Sequence, residues 1–411
     1  MEDLAYSAQR VVADLHELAN FTSDENGAQR VAWTALWRKT RVWYRQKAES
    51  LGAEVTRDAA GNVWTKVAGE SKEAVVIGSH LDCVPNGGWL DGCLGVLTGL
   101  EALRCYGESG QKPKKTLYVV DWADEEGARF GSSCQGSSAA SGNLDVKSLM
   151  GRKDLNGVVF EKALEENDVD PAHMLEAQKQ LAQKNLAAYL EFHIEQGPVL
   201  EQEGQAVACV YGAAGVERYA IEFSGQAAHA GSFPTKMRHD AFLAAAQAAL
   251  DFRRIALKYD AVCTVGQASV APDVVTIVPG KCRLSLDQRT IDPEDLEKMY
   301  QEAQTVASLA AAAEEVDVKW EKIYSVAPQL FDDHLIDLCK QAVKEETGVA
   351  RTMYSGPLHD AVEMAKVVPT VMMFVMSENG LSHTKEENTP EPELKTGIRA
   401  FLRLIDKVVN Q

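Results

Sequence analysis

His80 and Asp82 stand two residues apart at the carboxyl end of the apolar run Ala74-Val75-Val76-Ile77. Side chains of an extended chain alternate with period two, so this imidazole and carboxylate leave the same face together. Such a pair suits a metal ligand and the group that orients it. Pro85, Gly87 and Gly88 then force an irregular loop, which delivers a second carboxylate, Asp91, before Gly92 opens an apolar helix. Alone, a His-x-Asp reads equally as a buried histidine in a glycine-rich turn. Three further stretches give it more meaning. The apolar run 116–122 leads into Asp124-Glu125-Glu126. Residues 190–195 alternate, with Leu190, Phe192 and Ile194 on one face and Glu191, His193 and Glu195 on the other. The run 371–376 is followed by His383.

Imidazoles mixed with carboxylates are donors for Zn, Mn, Co or Ni, and a catalytic ion keeps about three protein ligands and an open position. If Asp91 bridges two ions, His80 and His193 complete one set, and Glu126 and His383 the other. Two divalent ions at roughly 3.5–4 Å would hold a hydroxide between them and polarise a carbonyl. Glu125, next to a ligand but pointing elsewhere, is left as the general base that takes the water's proton and gives it to a leaving amine. Without the histidines, Glu125-Glu126 reads as a solvated acidic turn.

The elements that must position these groups follow from pattern. Strands of buried character alternate with helices, which indicates an α/β protein with a mainly parallel sheet, and such sheets bind ligands outside the carboxyl ends of their strands. Helical periodicity occupies residues 1–51, a hairpin is expected over 53–67, and charged helices with solvated faces over 145–188. Tyr211-Gly212-Ala213-Ala214-Gly215 has the composition of a hinge. Beyond it a strand–helix–strand–strand–helix–strand pattern resembles a split βαβ sandwich, an insert that can fold by itself. The expected division is 1–212 and 328–411 for the catalytic domain and 213–327 for the insert. With 411 residues, 45% of them hydrophobic, the chain can bury a large core, while a formal net charge of −18 disfavours nucleic acid and anionic membranes as partners. The acidic start Met1-Glu2-Asp3-Leu4 and the lack of a long apolar run suggest a cytoplasmic protein, and the eight scattered cysteines are expected to be reduced.

Gly78-Ser79-His80-Leu81-Asp82, Asp91-Gly92, Glu125-Glu126-Gly127-Ala128-Arg129-Phe130, His193-Ile194-Glu195-Gln196-Gly197, Ala228-His229-Ala230-Gly231 and His359-Asp360-Ala361 together resemble the motifs of the hydantoinase/carbamoylase family of amidohydrolases, in order and over essentially the whole chain. That family lies within the dinuclear metallo-aminoacylase and carboxypeptidase superfamily. The resemblance implies a zinc-peptidase-like catalytic domain with an inserted lid that also dimerises the enzyme, and the metal roles given above. It implies hydrolysis of a small, carboxylate-bearing linear ureido acid: an N-carbamoyl-L-amino acid, allantoate or 3-ureidopropionate. His193 stands where the peptidase branches usually carry aspartate, which argues against an aminoacylase or dipeptidase, and an intact Glu125 argues against a non-catalytic metal-binding protein. By the same resemblance Gln196 holds the ureido or amide end of the substrate, Arg289 pairs with its carboxylate, and His229 stabilises the oxyanion from a neighbouring subunit. It also implies a cis peptide between Asp91 and Gly92. The chain departs from the family at Thr276, usually asparagine, at Leu358, usually glycine, and at Thr235 after Pro234, usually methionine. All three departures bear on the substrate more than on the metals. His359 either lines the pocket or orders its loop.

Overall fold

The computed structural model describes residues 6–411, so the acidic start read above lies outside the described residues. The chain divides into two compact units, Met1–Gly212 with Phe331–Gln411, and Ala213–Leu330. No helix among the described residues is long and apolar enough to cross a membrane.

The first unit is built on a twisted, mostly parallel sheet. Strands Thr370–Val375, Leu186–Ile194, Ser71–His80 and Lys115–Trp122 lie side by side in that order and run parallel. Antiparallel strands Val207–Ala213 on one side and Val63–Val67 with Glu54–Arg57 on the other extend it. The apolar run reads as it does because both of its faces are covered. Val75 and Ile77 enter one core with the helices Ala8–Thr22, Cys93–Ser109 and Glu391–Val409, whereas Val76 enters the opposite core with Trp64, Trp122 and Tyr189. The parallel register sets His80 opposite Trp122 and His193 opposite Phe374, so the polar residues that end each strand emerge along one edge.

Two readings need correction. Residues 145–188 do not merely present solvated faces. Leu149, Phe160, Leu164, Val169, Met174 and Leu181 are buried and form part of the second core. Short helices such as Phe160–Glu165 and Glu176–Ala182 hide this, because one or two turns give too few apolar positions for a period to show. Among the described residues the cis peptide bond is Ala271–Pro272, and the Asp91–Gly92 bond is trans. Gly92, at φ 67°, makes the turn into the helix instead. A Cβ there would overlap the His80 ring, so only glycine lets the loop pack on that ligand.

The second unit is an antiparallel sheet of strands Val262–Thr264, Lys281–Thr290, Gly215–Ser224 and Asp317–Val326, with Ala268–Ala271 beside Lys281–Thr290. Helices Ala241–Lys258 and Pro293–Ala313 cover one face and share a core of Phe223, Phe252, Leu286 and several alanines. Asp240 and Asp292 cap these helices by accepting from amides of the first turn. In Ala228–His229 and Ile277–Val278, His229 faces Ile277.

Candidate active site

Each parallel strand hands over its polar groups at its carboxyl end, as open α/β sheets do. One ligand atom from each of His80, Asp91 and His193 lies within 4.8 Å of the others, and the same holds for Asp91, Glu126 and His383. The two oxygens of Asp91 serve different partners. Oδ1 is 3.0 Å from His193 Nε2 and 3.9 Å from His80 Nε2, whereas Oδ2 is 3.2 Å from His383 Nε2, which is itself 3.4 Å from Glu126.

The histidines are oriented by main-chain carbonyls. His193 Nδ1 meets the oxygen of Ile194 at 2.9 Å and His80 Nδ1 that of Asp82 at 3.1 Å. A proton on each Nδ1 satisfies those oxygens and turns an Nε2 lone pair toward Asp91. His193 Nε2 is buried and meets the Asp91 carboxylate at 3.0 Å. The role expected of Asp82 therefore shifts. Its carbonyl contacts His80, while its carboxylate lies 3.7 Å from the ring and accepts from the amides of Glu125 and Glu126 at 3.3 Å each. It ties the second strand end to the first.

Glu125 is buried, 3.7 Å from His80 Nε2. Burial, with Asp360 and Glu126 nearby, pushes its carboxyl well above the ordinary value. Burial does the same to Glu126, and lifts Asp82 to about 6. Burial also lowers His80 to about 4, so its lone pair is available. Asp91 is the exception: burial raises it, but the imidazoles of His193 and His383 hold it well below the ordinary range. Buried carboxylates crowded in this way repel one another, and cations among them relieve that cost. Two imidazole Nε2 atoms turned toward one buried carboxylate, with further carboxyls crowded around it, form a donor set that fits divalent ions.

Gln196 reaches the same cluster, with Nε2 3.2 Å from Asp91 Oδ2 and 3.3 Å from Ser382 Oγ. Asp124, Gln196 and His383 adopt positive φ of 56°, 58° and 57°, the left-handed conformation that non-glycine residues hold where surroundings over-determine it. His359 is buried against His193, ring centroids 4.4 Å apart, and its own Nε2 has no partner. On the second unit, His229 is exposed and its Nδ1 accepts from the amides of Gly231 and Ser232, which leaves the proton on Nε2. Thr276 adjoins it through the hydrogen bond from the Ala230 amide to the Thr276 carbonyl. Thr235 opens a short turn after Pro234, and Arg289 lies on the strand Lys281–Thr290, bonded to Asp287 at 2.8 Å.

Glu387 escapes a reading of the sequence. It is buried and accepts from the amides of Leu90 and Asp91 at 3.1 and 3.0 Å and from Ser382 Oγ at 2.8 Å, clamping the Asp91 loop to the His383 loop. A Cβ on Gly88 would overlap its carboxylate, so the glycine makes room for it. Within Thr384-Lys385-Glu386-Glu387-Asn388 it looks like a solvated acidic turn.

The model of peptidase family M20/M25/M40 matches residues 76–407. The chain is 33% identical to the N-carbamoyl-L-amino acid amidohydrolase of Geobacillus stearothermophilus over 92% of this chain and 93% of that one. It is 30% identical to the allantoate amidohydrolase of Bacillus subtilis strain 168 over 99% and 100%. Among solved structures it resembles an amidase of the hydantoinase/carbamoylase family from Burkholderia multivorans, with a TM-score of 0.91 and 31% identity over 99% of each chain. Because the matched span carries every strand end described above, from His80 to His383, the chain belongs to peptidase family M20/M25/M40 and is a hydrolase acting on C–N bonds.

Proposed function

We propose that this hydrolase cleaves the carbamoyl or amide C–N bond of a small linear ureido acid, an N-carbamoyl-L-amino acid, allantoate or 3-ureidopropionate, with two divalent ions as cofactors. The observation that carries the reading is the pair of three-residue groups sharing Asp91, with Glu125 beside them and outside both. Zn, Mn, Co and Ni suit this donor set. When bound, such ions activate water and polarise the scissile carbonyl. His80, His193 and Asp91 would hold one ion, and Asp91, Glu126 and His383 the other.

The remaining steps belong to the chain. Glu125, whose raised affinity for a proton suits a shuttle, takes the proton of the attacking water and delivers it to the nitrogen that leaves. Asp82 fixes the loop that aims Glu125 through the two amide hydrogen bonds. Gln196, already within reach of the ligands, is assigned to the ureido or amide end of the substrate. We assign His229, with Nε2–H as its donor, to the oxyanion, and Arg289 to the substrate carboxylate by a charge-assisted contact. Thr276, beside His229, is shorter than the asparagine expected there and is assigned to substrate range. His359, packed on His193, orients that ligand.

We also propose a homodimer formed through the inserted unit. Leu243, Leu250 and Leu257, spaced by seven on the helix Ala241–Lys258, are 47%, 59% and 71% exposed, an outward apolar stripe that a symmetric partner would cover. Among the described residues no cysteine forms a disulfide, in keeping with a reducing, cytoplasmic setting.

The test is a panel of N-carbamoyl, N-acyl and dipeptide substrates offered to metal-free protein titrated with Zn, Mn, Co or Ni. Release of ammonia and amine from carbamoyl compounds, complete at about two equivalents of metal, is the expected result. Turnover confined to N-acyl or dipeptide substrates would reject the ureido assignment, and full activity at one equivalent would reject the paired ions.

A further inference from the structure

Away from the metal-ligand groups, the first unit holds a cleft of about 450 Å³ beside the helix Ala35–Ser50, the strand Glu54–Arg57 and the loop 167–169. Four arginines line it, Arg38, Arg41 and Arg45 from the helix and Arg57 from the strand, in a chain whose net charge is −18. Spacings of three, four and seven put the helical three on one face. Trp33 and Trp37 also line the cleft, with the Arg41 guanidinium 3.7 Å above the Trp37 ring.

Only part of this positive charge is met by carboxylates. Arg41 pairs with Asp121 at 2.6 Å and Arg45 with Glu49 at 3.2 Å. Arg38 donates to the Glu166 carbonyl and the Asn167 side chain, and Arg57 to the carbonyls of Asn167 and Asp168. One carboxylate, Asp168, lines the cleft against four guanidinium groups.

The cleft is also connected to the catalytic strand ends. Asp121, the partner of Arg41, accepts from the amide of Leu81, between His80 and Asp82. Trp33 donates to Asp124, the residue before Glu125, at 2.7 Å.

We propose that this cleft is a second, regulatory site for a small organic anion carrying a phosphate or carboxylate group, and that its occupation shifts turnover through Asp121 and Asp124. Guanidinium groups bind either oxyanion in forked geometry, and Val42, exposed on the cleft wall, gives an organic body an apolar surface to lie against.

Sulfate, glycerol phosphate and succinate, all weak chelators, are titrated calorimetrically into metal-loaded wild type, Arg38→Gln/Arg57→Gln and Arg45→Glu. Arg45 is exposed, so its charge reversal tests the cleft even where the double variant folds poorly. The expected result is one saturable site per chain for at least one anion, weakened about tenfold or more in both variants. The phosphate and carboxylate arms then identify the class. Metal content and turnover without anion should match wild type, and saturation should change wild-type turnover by about twofold or more with no change in the variants. No saturable binding up to ~10 mM, equal binding by the variants, or binding that vanishes with the metals would overturn the site. Binding with unaltered turnover would overturn the regulatory coupling. The binding measurement needs no substrate, so its failure is distinct from failure of the ureido assignment.

Discussion

Two adjacent glutamates carry different work, and substitution separates them. Glu125→Gln removes a proton carrier but no ligand. It should lower kcat by roughly 10²–10⁴-fold while metal content, read by elemental analysis, stays at the wild-type level. Glu126→Gln should lose activity together with about one ion per chain. The reverse pattern would exchange the two roles. Neighbours can differ so sharply because the chain leaves its strand through Asp124, at φ 56°, and the amides of both glutamates are then pinned by Asp82. Much of the chemistry at this scale was legible, because histidines and carboxylates interrupt apolar runs abruptly where strands end. Other parts were not. The period-two argument placed Asp82 beside His80 but could not show that its carbonyl, not its carboxylate, makes the contact. Glu387 lies 296 residues from Asp91 along the chain, and no spacing encodes that pairing.

At the scale of elements, the site is a set of loops whose positions depend on one another. Glu387 links two of them, and its loss leaves the amides of Leu90 and Asp91 buried without acceptors. Each such group costs about 1–3 kcal/mol. Glu387→Ala should therefore lower the melting temperature and weaken metal retention against a competing chelator, whereas Glu387→Gln, which keeps an acceptor oxygen, should recover part of both. An alanine variant that held its metal like wild type would show that the Asp91 loop is fixed by other contacts. Strand–helix alternation was readable for the same reason that the sheet is stable: strands covered on both faces are apolar throughout, as Val75, Val76 and Ile77 show. The segment 145–188 shows no apolar period in its sequence because its buried residues are spread over short helices and turns. Their partners, Trp33, Trp64 and Trp122 among them, come from distant parts of the chain.

Whole-molecule behaviour joins assembly to charge. If the inserted unit forms the dimer, Leu250→Glu should yield a folded monomer by analytical ultracentrifugation, and an intact dimer would acquit the Ala241–Lys258 stripe. Charge makes a stronger demand on the metal-free protein. Burial lifts the carboxyls of Asp82 and Glu387 to about 6 and of Glu191 to about 7, and raises Glu125 and Glu126 well above their ordinary values. An acid that binds its proton more tightly when folded makes the folded chain take up protons between its ordinary and its raised value, so stability falls as pH climbs through that interval. Burial lowers His80 to about 4 and His359 well below its ordinary value; these act in the opposite sense but are outnumbered. The interval runs from about pH 4.5 to about pH 7. Calorimetry in chelator should find the metal-free protein melting ~5 °C lower near pH 7.5 than near pH 5.5. Two equivalents of divalent metal should remove that slope, since the cations stabilise the ionised carboxylates and bind only the folded site. A metal-free melting temperature that held steady or rose across the interval would mean that the acidic cluster finds its compensation within the protein, and that relief of carboxylate repulsion is not what draws the ions in.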